Sequence, residues 1–357
     1  MGFFAKVKNM ISNSLAAKVA AGVATLVLLG GGTVGLAYAG GITGAKTAVG
    51  VALINTFVTD AKELFTNVKE QGGELLVEVS GEELSLDALG IGGGMSFPDT
   101  KIRLLARSNP EQEVNATADF LVSDNVLLSA NAYVNKEVWQ ITVPKLFSTV
   151  LTAKHYAEDA VKDFVSDGIS NGMIENLSKA YEEYLAGTEI KKGRKEELRI
   201  NGVKYNCRVY QADMSAENAK GFADAVLSEL RAQGIELGSA PEFADTVSFT
   251  FHVCKERMVS INARWTTKRI ENGEAITYPG SFKMIPSRDG QFSLNVAAKG
   301  KEWNVKGYLK TAQNEILPLA GKQLDVLAMT EADEAGLKAE ISKNITRLMF
   351  KWMGLLN

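Results

Sequence analysis

Imidazole and thiol are scarce: the 357-residue chain has two histidines and two cysteines. Zinc-type and cysteine–histidine chemistry needs several such groups gathered in one place, so it has little to draw on here. Charge is also missing, but locally. From Val19 to Ala45 there is no Asp, Glu, Lys or Arg, and the first acidic residue is Asp60. No cysteine follows the small residues that end this run, which argues against a lipid-modified lipoprotein, and the C-terminus has no cell-wall sorting pattern. A composition of 46% hydrophobic and 23% charged residues excludes disordered and collagen-like chains.

What surrounds the charge-free run gives it meaning. Lys6, Lys8 and Lys18 precede it; after them, 36 basic residues face 42 acidic ones, a net of about −6. Residues 19–39 form an apolar stretch that would span about 30 Å as a helix. Retention of the lysines on the cytoplasmic side places residues 1–18 inside and the acidic body outside. Ala37-Tyr38-Ala39 fits a signal-peptidase site, so cleavage after Ala39 stays open. The length of the basic and apolar regions favours an uncleaved anchor, in which Gly31 and Gly35 have the spacing of a close helix pair.

Past this segment, 40–73 is a short joint and one membrane-proximal helix. Leu53, Phe57, Ala61, Leu64 and Val68 recur at helical spacing until Gly72-Gly73. The period then changes to two. Val114, Ala116, Ala118 and Phe120 alternate with polar residues, as do Trp139, Ile141 and Val143, which predicts strands with one wet face. Asp124-Asn125, Asn201-Gly202, Asn272-Gly273 and Asp289-Gly290 punctuate such runs and predict antiparallel hairpins. Residues 155–187 read as an inserted helical pair, and Glu189–Glu197, containing IKKGRKEE, as a solvated charged connection. Gly90–Gly94 has no following Lys-Ser or Lys-Thr and reads as a loop.

Two strand-to-helix junctions are alike. Met214-Ser215 leads to Gly221-Phe222, and Met329-Thr330 to Gly336-Leu337, each with a hydroxyl placed to cap the helix. Either these converge, or the body is two similar halves, 74–237 and 238–357, joined at the break Gly238-Ser239-Ala240-Pro241. The last helix carries Leu337, Ile341, Ile345 and Leu348 on one stripe and predicts a sheet-covering element.

The helix with L-I-N-T-F, the meander with VWQITVPKLF, the inserted helical pair and the capped helices resemble, in element order, uncharacterised membrane-anchored proteins of Gram-positive bacteria. Their architecture is similar to the lipoprotein-carrier fold of LolA and LppX. The resemblance implies a curved antiparallel sheet wrapped over helices, and a hydrophobic ligand between them.

His252 and Cys254 fall two apart in the strand run Val247–Cys254 and so share a face. A thiolate–imidazole pair is one reading. The Ser248 and Thr250 beside them make a polar sheet surface the better one. Cys207 shares a strand face with Val203, Tyr205 and Val209 and reads as core-facing, with Cys254 facing outward. An extracytoplasmic location nonetheless permits a disulfide between Cys207 and Cys254. No paired acid and base, cofactor loop or metal-ligand spacing is present, and an acidic body lacking a basic aromatic face excludes nucleic acid as a partner.

The expectation is therefore an α+β protein: an N-terminal transmembrane helix, then a mainly antiparallel sheet covered by helices, in two similar halves if the junctions are related. No catalytic, cofactor or metal residue is assigned. The expected role is binding or interaction without catalysis, at the membrane through 19–39, with an envelope protein or a lipid as partner.

Overall fold

A computed structural model describes residues 44–53, 55–56, 60–81, 99–154, 183–184, 188–232, 242–271, 274–286, 290–298 and 301–355. The anchor 19–39, the glycine run 90–94, the break at 238–241 and all of the helical pair except 183–184 lie outside them. Among the described residues, no helix is long and apolar enough to cross a membrane.

The strands alternate as the period of two requires, and they form one open, curved sheet. They are β1 (Gly73–Gly81), β2 (Thr100–Ser108), β3 (Val114–Val122), β4 (Asn125–Val134), β5 (Val138–Val143) and β6 (Phe147–Lys154) in a first meander. A second contains β7 (Ile190–Ile200), β8 (Val203–Met214), β9 (Val247–Cys254), β10 (Arg257–Glu271), β11 (Glu274–Pro286), β12 (Gln291–Ala298) and β13 (Lys301–Thr311). A short β14 (Gln323–Asp325) pairs with β6 in parallel at one edge. The spatial order is 14-6-5-4-3-2-1-13-12-11-10-9-8-7. The two meanders thus meet at β1 and β13, an antiparallel pair running from Gly73↔Thr311 to Gly81↔Trp303.

Of the expected turns, Asn201-Gly202 falls in place, Asp124-Asn125 is shifted by one residue to Ser123-Asp124, and Asn272-Gly273 and Asp289 lie outside the described residues. Asn201 and Gly202 have φ of 49° and 81°, and Ser123 and Asp124 have 46° and 64°, the two left-handed residues of a turn that matches strand twist. The β9–β10 turn places Lys255 and Glu256 there too, with no glycine to announce it.

The expected charged connection is instead strand β7. Its residues alternate between exposed and half-buried, and it lies at the far edge of the sheet. Lysines on an edge strand discourage pairing with another chain, so an edge can read as a loop. The break near 238–245 falls between β8 and β9, which are hydrogen-bonded neighbours, so one sheet continues across it.

Over the helix expected at 47–71 the structure gives α1 (Ala45–Leu53) and α2 (Asp60–Gln71), with Asn55 and Thr56 between them still helical, in a wider π turn. Between them, Asn55 Nδ2 donates to the Glu256 carbonyl (3.0 Å), and Thr56 Oγ1 accepts from the Met258 amide (2.8 Å). These side chains tie the helical segment to the β9–β10 turn. Asp60 then pairs with Arg257 at the start of α2. Gly72, at φ +84°, ends α2; a Cβ there would sit 2.6 Å from the Ser108 carbonyl.

The two capped helices are α3 (Ala216–Ala232) and α4 (Glu331–Leu355). Ser215 Oγ accepts from the Asn218 amide at 3.2 Å. Thr330 Oγ1 accepts from the Asp333 amide (3.2 Å) while the Asp333 carboxylate accepts from the Thr330 amide (3.1 Å), a reciprocal cap. Their positions differ. α3 leaves a strand inside the second meander, whereas α4 follows the edge strand β14 and packs on the first.

Candidate functional site: the inner face of the sheet

In register, one side of most strands carries apolar residues, the edge strand β7 excepted. Leu151, Ile141 and Ala132 stand in a row across β6, β5 and β4, and Tyr210, Phe251, Ile261, Met284 and Leu294 in a row across β8 to β12. We call this side the inner face. Val77 (fully buried) and Leu104 occupy its centre, with Phe292 and Val305 packed beside them.

Helices cover the inner face in patches. α1 buries Val49, Ala52 and Leu53 against Tyr210, Phe251 and Ile261. α4 lays Leu337, Ile341, Ile345 and Leu348 over Ile102, Phe120 and Leu128, as its stripe predicted. Asn344 Nδ2 fixes its angle by donating to the Leu146 carbonyl at 2.9 Å. α2 lies over β1 and β13, with Val68 against Gly73. Met214 and Ala219, at the start of α3, pack with Val247 and Ala263.

Between the α2 and α4 covers lies a low floor. Ala106, Ala116 and Ala132 stand directly opposite one another across β2, β3 and β4, with Ala118 and Ala130 in the adjacent row. All five are half-buried. Alanine is a poor strand former, and a packed core would favour β-branched or aromatic residues at such positions. Five alanines in register make a low, apolar stretch of sheet, with Ala118 packed beside Val77 and Leu104 and Ala130 against the α4 cluster. The signal was in the sequence, as alanines two apart in Ala116–Ala118 and Ala130–Ala132, but it gains meaning only once β2, β3 and β4 are in register.

The outer face is polar and bonded to itself. Glu74 receives the Tyr308 hydroxyl (2.7 Å), the Arg107 Nε (2.7 Å) and the Lys310 ammonium (2.9 Å), tying β1 to β2 and β13. Those three donors, Tyr308 foremost, hold its carboxyl down to about 2. Arg103 binds Asp119 at 2.8 Å, and Ser129 donates to the same carboxylate. Residues 312–322 cross this face as a strap: Asn115 Nδ2 donates to the Leu317 carbonyl (3.1 Å) and the Leu319 amide to Gln140 Oε1 (2.7 Å).

His252 and Cys254 share the outer face, as their spacing requires, beside Thr250 and Ser248. His252 is buried at 7% exposure, with Nε2 3.5 Å from Glu196 Oε2 and Nδ1 without a hydrogen-bond partner. Both cysteines are free thiols. Cys207 is fully buried, as expected of a core position, but on the face opposite the inner clusters. Its strand partner Glu196 and its neighbour Val209, paired with His252, place it on the outer face too. The inner residues of β8 are Tyr210, Ala212 and Met214, and the apolar Val203, Tyr205 and Val209 on the opposite side obscured this in the sequence. Among the described residues, no three His, Cys, Asp or Glu side chains gather as a metal site.

No protein-family model and no curated protein matches the chain. Among solved structures, an outer membrane lipoprotein-sorting protein domain from Vibrio parahaemolyticus aligns with 78% of this chain and 97% of its own, at 9% identity and a TM-score of 0.21. A DUF1329 family protein from Desulfovibrio piger aligns with 71% of this chain and 90% of its own, at 8% identity and a TM-score of 0.21. At that score neither likeness carries an argument about this chain, and neither speaks for the Gram-positive anchored group. The architecture stands on its own strand order and registers.

Proposed function

We propose that the body binds a lipid or another hydrophobic ligand on the inner face of its sheet, over the alanine floor, and acts without catalysis. We propose further that residues 19–39 tether it to the membrane with the body extracytoplasmic, supported by the three preceding lysines and the charge-free run. The observation that carries the binding reading is the floor itself: five half-buried alanines in register between two helical covers. An acyl chain laid there would gain about 0.8 kcal/mol for each methylene removed from water. The element order that resembles the lipoprotein carriers implies the same ligand class.

Native mass spectrometry of the full chain tests this, with Ala118→Phe beside the wild type. The expected result is a lipid adduct on the wild type that the variant lacks. Adducts equal in both would belong to residues 19–39 and overturn the reading. The body would then act by contacting an envelope protein, which crosslinking in intact membranes would recover.

A further inference from the structure

β8 and β9 run in unbroken register through seven pairs, from Met214↔Val247 to Arg208↔Val253. The next pair in that register is Cys207 with Cys254, each still within its strand. Directly opposed residues of an antiparallel pair share a face, with Cα atoms about 4.5–5.5 Å apart. A disulfide spans about 4.4–6.8 Å between Cα atoms, so the register, carried one pair further, brings the two backbones to bridging distance.

The two thiols differ. Cys207 is fully buried, and its thiol donates to the Tyr205 carbonyl at 3.7 Å. Cys254, at the end of its strand, is half-buried and open to a reagent.

We propose that Cys207 and Cys254 are a thiol modification site, closed to an intramolecular disulfide by a dithiol-oxidising disulfide reagent or protein. The Cys254 thiolate attacks one sulfur of the oxidant's disulfide. That bond breaks, one thiol leaves, and a mixed disulfide stands on Cys254. Cys207 then gives up its proton and attacks the Cys254 sulfur, releasing the second thiol. Two electrons and two protons pass from the cysteine pair to the oxidant, which goes from one disulfide to two thiols. Burial, with Cys254 and Glu196 nearby, pushes the Cys207 thiol up to about 11, which makes it the slower, resolving partner. The bridge would tie β8 to β9 next to the edge strand β7. It stands or falls independently of the ligand reading.

Incubation of the folded full chain with oxidised glutathione, followed by alkylation and peptide mapping, tests the proposal. The expected product is lighter by two hydrogen atoms, contains a linked Cys207–Cys254 peptide and takes up no alkylating agent. Cys207→Ser is expected to stop with glutathione held on Cys254, and Cys254→Ser with an unmodified Cys207. Wild-type protein that keeps glutathione on Cys254 beside a free Cys207, or that leaves both thiols unreacted, overturns it. The wild-type map decides the matter even if a variant fails to fold.

Discussion

The two faces of this sheet do different work with the same strands. The outer face is stitched by short polar bonds, with Glu74 joining β1 to both β2 and β13 and Asp119 held by Arg103 and Ser129. Among the described residues, the inner face is largely apolar from β1 to β5 and β9 to β13, turns polar at the β7–β8 edge with Lys192, Lys195 and Arg208, and is covered by helices in patches. The two meanders of this broad sheet join at one long-range seam, the β1–β13 pairing. The densest outer network sits on that seam, and the opposite side of the same strands is apolar and covered by α2. Cohesion and ligand binding are thereby assigned to separate surfaces.

The largest effect separating the faces is expected from Phe120→Ala, which removes a ring 2% exposed beneath α4. Urea denaturation should show a loss of about 3–5 kcal/mol. An outer-face truncation such as Asn131→Ala, which removes one hydrogen bond to Thr117, should cost about 1 kcal/mol. Equal losses would break the comparison.

Glu74 gives the next effect, visible as a pH dependence. Its carboxyl is held below its unfolded value, so its contribution is complete above about pH 4.5 and is lost as the pH falls toward about 2. We expect a loss of about 2 kcal/mol over that interval, less than the full shift gives because Arg107 and Lys310 are partly solvated. Glu74→Gln should remove the same amount near neutral pH and flatten the urea midpoint between pH 5 and 2. A variant with the wild-type slope would detach the seam from this carboxylate.

Thr330→Ala tests the smallest term, the cap that sets α4 over the inner face. The expected loss is about 1 kcal/mol in the same titration. No loss would mean that α4 is positioned by Leu337 and its stripe alone.

Much of the fold was legible because its rules are local. Alternation in Val114–Phe120 and Trp139–Val143, left-handed turn residues at Asn201-Gly202, and the hydroxyl caps at Ser215 and Thr330 each act within a few residues. What failed was non-local. The lysines of β7 look like a loop until the strand is known to be an edge, and the bonds of Asn55 and Thr56 to the β9–β10 turn cross 201 and 202 residues of sequence. The face of Cys207 and the alanine floor both depend on register, which neighbouring strands set and no single strand reveals. The candidate site therefore emerged almost wholly from the structure, while the membrane segment rests on sequence.

Ala106 and Leu105 are consecutive in β2 and point to opposite faces, the first on the alanine floor and the second opposite Thr117 on the outer side. Uptake of a fluorescent fatty acid by the full chain, measured for wild type, Ala106→Phe and Leu105→Phe, puts the two faces in direct competition. The account predicts saturable uptake by wild type and Leu105→Phe, and at least a tenfold weaker affinity for Ala106→Phe, about 1.4 kcal/mol or more. Uptake that is unchanged by Ala106→Phe, or reduced as much by Leu105→Phe, would contradict the assignment of ligand binding to the inner face.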